Sequence, residues 1–205
     1  MSTQLLNSRR LEAQFFDRSV HDVARDLIGC ALLFDGVGGV IVECESYERD
    51  DPACHAHVGL TGRTEPLFGP PGRAYVYLSY GIHSCLNFVC ESEGAAAAVL
   101  IRALEPLWGT EEMCRRRGRD GASELCSGPG KLCQALGITR ELDGRMMPDA
   151  EVVVLPAAVA LPFEVVTTPR IGITKAADWP LRFAVKGNPH VSGRGGRKRV
   201  GVLSS

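Results

Sequence analysis

The stretch Val40-Ile41-Val42-Glu43-Cys44-Glu45-Ser46-Tyr47 sets two carboxylates and a phenol at alternate positions of an apolar, β-branched run. On a strand those three side chains share one face. Like charges crowded beside apolar neighbours either raise one carboxyl's pKa or find cationic partners, and a general base needs such a setting. The alternative is the acidic outer face of an ordinary strand. Arg102 bears on the choice, because it breaks the apolar segment that begins at Ala95. A lone charge in an apolar strand must be paired. Glu43 or Glu45 is the obvious partner, in a structural ion pair or with Arg102 orienting the base and its water.

Two further clusters carry chemistry. Asp50-Asp51-Pro52-Ala53-Cys54-His55-Ala56-His57 brings Cys and His close enough for a zinc reading, but no second Cys/His pair follows to complete a tetrahedral site. A histidine a few residues after a tyrosine can instead wall a pocket for a flat ring. Tyr75, Tyr77 and Tyr80 fall within six residues, in a chain with four tyrosines. Tyr75 and Tyr77 share a strand face, where aromatics commonly serve the core. Tyr80 sits at a turn beside Gly81, a place from which a side chain can wedge into a partner.

These residues must be positioned by short elements, since 23 Gly and 12 Pro punctuate the 205 residues. Strands are expected at Ala31–Phe34 and Gly39–Tyr47 around an Asp35-Gly36 turn. Ala74–Tyr80 and Cys85–Cys90 flank the Tyr80–His83 turn, and Val99–Leu104 follows. Glu151–Leu155, Phe163–Thr167, Arg170–Thr174 and Leu181–Lys186 complete the set. Ser19-Val20-His21-Asp22 reads as a capping box opening a helix that Gly29 stops. Further helices are expected from Thr110 toward Arg117 and from Ser127-Gly128-Pro129 to Leu136, closed by Gly137. Strand and helix do not alternate, so the expected fold is α+β. It is a single compact domain over 1–205, with a curved, mostly antiparallel sheet flanked by short helices. Residues 1–18 and the basic tail 193–205 are expected to be peripheral.

Composition permits a nucleic-acid partner without requiring one. The net charge is −1, yet six basic and no acidic residues follow Asp178. A second cluster, Arg115–Arg117 with Arg119, lies mid-chain, and 19 of the 23 basic residues are arginine, the side chain suited to bidentate phosphate contact. A solvated tail and helix end would look the same. Eight scattered cysteines without a Cys-x-x-Cys pair, no apolar run of membrane length and no secretory-type start fit reduced thiols in a cytoplasmic protein.

Together the motifs resemble the alkyladenine (3-methyladenine) DNA glycosylase family, the mammalian type and its bacterial relatives. VECESY resembles the family's V-E-T-E-A-Y, DDPACHA its D-D-P-A-x-H-A, and GPPGRAYVYLSYGIHSCLN its G-x-P-G-x-x-Y-V-Y-x-x-Y-G-M-x-x-C-x-N. VLIRALEPLWG and ELCSGPGKLCQALGI follow in the family's order, so the likeness runs from about Ser19 to Ser192. The resemblance implies that Glu45 activates the attacking water, held also by Arg102 and the backbone around Ile171. It implies a base pocket of Tyr47, His55, Tyr77, Asn87 and Ile171, with Asn87 placed against the exocyclic amino group of normal guanine. Tyr80 would fill the gap left by the flipped nucleotide, with Ile82 beside it where the family usually has Met. The Tyr47-to-His55 spacing is one residue shorter than in the family, which leaves His57 a rival for the wall. Ala184 stands where a larger ring is common.

The implied activity is release of alkylated or deaminated purines (3-methyladenine, 7-methylguanine, and by extension hypoxanthine and ethenoadenine) from double-stranded DNA, leaving an abasic site. Four lysines (131, 175, 186 and 198), none within the Glu45–Asn87 motifs, argue against a Schiff-base lyase. The expected partner is damaged duplex DNA, bound by a monomer with no metal, cofactor or membrane. A non-catalytic DNA-binding module and a small-molecule nucleoside hydrolase are the alternatives.

Overall fold

The computed structural model describes residues 10–147, 151–157 and 163–193. β1 (Ala31–Phe34) reverses at Asp35-Gly36, both in the left-handed region, into the long strand β2 (Val37–Tyr47). One edge of β2 pairs along most of its length with β5 (Ala97–Trp108). The other edge is shared, with β1 at its start and β8 (Arg182–Val185) at Glu43–Glu45. The hairpin of β3 (Ala74–Ser79) and β4 (His83–Cys90) extends the sheet beyond β5. β6 (Val152–Leu155) extends it beyond β1, and β7 (Val165–Thr168) pairs with β8. Every pairing is antiparallel, in a curled α+β sheet.

Two glycines let the strands run this close. A Cβ at Gly38 would meet the Leu32 carbonyl at 2.0 Å, and one at Gly39 the Glu105 carbonyl at 2.0 Å. The described helices are α1 (Ala13–Phe16), α2 (Val20–Asp26), α3 (Thr110–Arg117), α4 (Ala122–Leu125) and α5 (Pro129–Leu136). Their apolar stripes meet the strands in one main core. Val20, Val23 and Leu27, Met113, and Leu132 and Leu136 pack there with Ile41, Leu86, Phe88, Ile101 and Leu104. Burying each such side chain contributes about 1.5–3 kcal/mol.

Four expectations need correction. Ser19 precedes α2 but makes no side-chain cap. Instead Glu91, 71 residues away, accepts the first helical N–H, that of Val20, at 3.0 Å. Residues 170–174 are not a strand, and Gly172 turns the chain with φ +79°. The segment up to residue 18 is not all peripheral: Phe16 is fully buried with its ring 5.3 Å from that of Phe88. The helix-end arginines are structural in part. Arg115 and Arg116 pair with Glu112, and Arg116 also donates to the Ala135 and Leu136 carbonyls, tying α3 to α5.

Candidate active site

The site begins with an irregularity in the β2–β5 ladder. Glu43 lies opposite Ala103 and Cys44 opposite Ile101, so Arg102 has no residue across from it. A bulge of this kind re-aims a side chain, and the Arg102 guanidinium reaches both carboxylates of β2. Its Nε donates to Glu43 Oε1 at 3.2 Å and its Nη1 to Glu45 Oε2 at 3.0 Å. Neither glutamate is exposed at all. Glu43 also accepts from Arg182 Nε at 2.6 Å, from the Ser192 amide at 2.6 Å and from the Ser192 hydroxyl at 2.8 Å. Two buried carboxylates thus face two guanidiniums, and the acidic-surface alternative does not apply. Burial works against the Arg102 charge, but Glu45 and Glu43 outweigh it and raise its pKa.

Glu45 is held differently from Glu43. Its Oε1 accepts the Ile171 N–H at 2.8 Å, while Oε2 accepts the Tyr47 hydroxyl at 2.8 Å as well as Arg102. The Ile171 carbonyl in turn accepts from Arg102 Nη1 at 3.4 Å. Ile171 therefore stands behind the carboxylate rather than on the pocket wall where the resemblance set it. Gly172 and Ile173 line the wall instead.

In front of this lattice is a cavity of about 460 Å³ lined by Tyr47, His55, Tyr75, Tyr77 and Asn87 among others. Tyr47 is the connection, its ring in the wall and its hydroxyl on Glu45. His55 is edge-on to Tyr77, with ring centroids 4.5 Å apart, and its Nδ1 lies 2.9 Å from the Tyr75 hydroxyl. His57 is exposed with its Nδ1 toward the Arg49 carbonyl and is not part of that lining. The Asn87 amide nitrogen donates to the Tyr75 and Cys85 carbonyls at 3.1 and 3.2 Å, which fixes its side chain at the cavity edge. Burial pushes the Tyr75 hydroxyl up to about 12 and raises Tyr77 further. Burial and the neighbouring Glu45 charge do the same to Tyr47. All three remain protonated donors. Burial, then the Arg63 charge, lowers the His55 pKa below its ordinary value of 6.5.

Tyr80 and Ile82 form the tip of the β3–β4 hairpin beside the cavity mouth, 91% and 73% exposed. Tyr80 has φ +51°, a conformation a bulky residue rarely adopts, and Gly81 follows at φ +74°. Of the 54–57 cluster, Cys54 and His55 line the aromatic cavity. Among the described residues no group of three or more His, Cys, Asp or Glu comes together as a metal site. Burial pushes Cys30 and Cys54 up to about 11, which leaves them inert thiols. Of the six late basic residues, Arg182 serves Glu43 and Lys186 pairs with Glu164. Arg194, Arg197, Lys198 and Arg199 lie outside the described residues.

The model of the methylpurine-DNA glycosylase family matches residues 14–189. The chain belongs to this family. A protein named "Putative 3-methyladenine DNA glycosylase" from Rhodopseudomonas palustris (strain HaA2) is 58% identical over 182 residues, 89% of this chain and 90% of the relative. Relatives of the same name from Nitrobacter winogradskyi and Methanoculleus marisnigri are 55% and 50% identical. They cover 89% and 90% of this chain, and 86% and 99% of their own lengths. The protein is a DNA glycosylase, an enzyme of DNA repair. In this glycosylase, sequence reasoning missed Asp51, Arg170, Arg182 and Ser192, which hold the site from behind. Their partners lie far along the chain, and even for Asp51, inside the 50–57 motif, nothing local points to Arg170.

Proposed function

We propose that this glycosylase everts alkylated or deaminated purines from duplex DNA into the Tyr47–His55–Tyr77 cavity. Glu45 then activates the water that breaks the N-glycosidic bond. The observation that carries the reading is the placement of the Glu45 carboxylate. It is hydrogen-bonded to Arg102 and sits one hydrogen bond behind the aromatic wall. Bond cleavage builds positive charge on the sugar. A fixed carboxylate in a dry site stabilises that charge and takes the proton from water.

The walls suit electron-poor rings. A cationic 3- or 7-methylpurine gains about 0.5–2 kcal/mol from aromatic faces that a neutral base lacks. A cavity of this volume falls in the range of small-ligand pockets, roughly 300–1,000 Å³. Extrusion costs a few kcal/mol in lost stacking, and Tyr80, projecting beside the mouth, offsets part of it by filling the gap. No lysine lines the cavity among the described residues, so the expected product is an intact abasic site. A small-molecule nucleoside hydrolase would have no use for a strained, exposed aromatic tip. The protein acts as a monomer in the cytoplasm on this reading.

The test is excision from a panel of duplexes that each carry one lesion: 3-methyladenine, 7-methylguanine, hypoxanthine or ethenoadenine. Base release from at least one of them, with no strand cleavage before alkali, supports the reading. Release from free methylated nucleosides but from no duplex would overturn it.

A further inference from the structure

We propose that Asp51 and Arg170 are a positioning pair for the reaction, which fixes the angle of the Glu45 carboxylate and the set of the Tyr47 wall without touching the substrate. This inference rests on the function proposed above. Asp51 is fully buried, Arg170 is 95% so, and neither lines the cavity. Arg170 Nη2 donates to Asp51 Oδ1 at 3.0 Å and Nη1 to Asp51 Oδ2, a two-pronged contact that fixes the guanidinium plane. Nη1 also donates to the Ser46 carbonyl at 3.1 Å. In that plane the guanidinium carbon lies 4.5 Å from the Tyr47 ring centroid, covering one face of the wall.

The next residue explains why this matters for chemistry. Ile171 gives its N–H to Glu45 and its carbonyl to Arg102. Residues 170–174 belong to no strand or helix, and Gly172 bends them with φ +79°. Among the described residues no strand ladder runs through this segment, so beside its contacts with Glu45 and Arg102 the Ile171 peptide is steadied by the neighbouring Arg170 side chain. Asp51, for its part, accepts the Ala53 N–H at 2.9 Å and opens the turn that leads to His55. One ion pair therefore joins three separate pieces of the site: the end of β2, the His55 turn and the loop carrying Ile171. A buried ion pair is seldom needed for stability alone, because an apolar pair of similar shape commonly does as well. A flat, forked cation with a fixed direction supplies orientation instead.

The decisive variant is the double replacement Arg170→Met with Asp51→Asn. It removes both charges, keeps the stem and leaves an oxygen for the Ala53 N–H. Its thermal midpoint is expected within about 8 °C of wild type, and its affinity for lesion duplex within about threefold. Its single-turnover excision is expected to fall on the order of 10²-fold, because a small misplacement of reacting groups carries that penalty. Arg170→Lys, which keeps the charge but neither the fork nor the flat stack, is expected to fall comparably. Excision by the double variant within about threefold of wild type, or a loss of excision only in step with lost affinity, would overturn the pairing's role. The Ile171 amide proton gives an activity-free reading. It is expected downfield in wild type, and to move upfield in Glu45→Gln and in the double variant; an unmoved resonance in the double variant would overturn the proposal. Wild-type release on the lesion panel judges the functional reading separately, so the two can fail independently.

Discussion

The carboxylate strand and the hairpin tip differ in where their side chains are satisfied. Around Glu43 and Glu45 every carboxylate oxygen has a protein partner, supplied by Arg102, Arg182, Tyr47, Ser192 and the Ile171 amide. At the tip, Tyr80 projects into solvent from a left-handed backbone and makes no side-chain hydrogen bond among the described residues. A group that works on a bond must be aimed in advance, and a low-dielectric lattice does that. A group that fills a hole in a partner cannot be satisfied inside its own protein. On the proposed function its strain, roughly 1–3 kcal/mol for such a conformation, is retained because it serves the complex.

Breaking the lattice should give the larger effect. Arg102→Met leaves two buried carboxylates short of a cation, and we expect a loss of about 3–5 kcal/mol in denaturant unfolding, with excision falling as well. A loss under about 1 kcal/mol would mean that the lattice is not what holds the strand. Tyr80→Ser should behave in the opposite way. Unfolding stability should stay within about 0.5 kcal/mol of wild type. Affinity for lesion duplex should fall about 5- to 150-fold, the equivalent of one lost stacking contact of about 1–3 kcal/mol. Unchanged affinity would erase the contrast between the two regions.

The smallest effect concerns His55, at the border between them. Its folded-state pKa lies below the ordinary 6.5, so on acidification the unfolded chain takes the proton first. The His55 contribution to stability is therefore intact above pH 6.5 and is lost as pH falls from 6.5 toward the lowered value. His55→Gln should flatten that part of the profile of thermal midpoint against pH. Arg63→Ala should move the His55 NMR titration upward, since the Arg63 charge is one cause of the lowering. A titration that stays put would remove Arg63 as a cause of the lowering.

What could be read from the chain follows the same division. Alternation along 40–47 placed Glu43, Glu45 and Tyr47 together, and the demand that a lone Arg102 be paired pointed to its partners. Tyr80 beside Gly81 was legible as a tip because a turn is a local event. The bulge that aims Arg102 was not, because it depends on the register between two strands. The Asp51–Arg170 and Glu43–Arg182 pairs join residues 119 and 139 apart, beyond any local pattern. The α2 cap was misassigned for the same reason, since Glu91 arrives from another part of the sheet. Residues 170–174 carry strand-like side chains, but the conformation of Gly172 and the demands of Glu45 on the Ile171 amide outweigh that preference.

Glu45→Gln measures the central claim most directly, compared with wild type on one lesion duplex for both equilibrium binding and single-turnover base release. The amide keeps the shape and can still accept from Ile171, so affinity should stay within about threefold. Base release should fall at least about 10³-fold, because on the proposed function the group that takes the proton and faces the sugar cation is gone. Release by the variant at a rate near that of wild type would contradict the account.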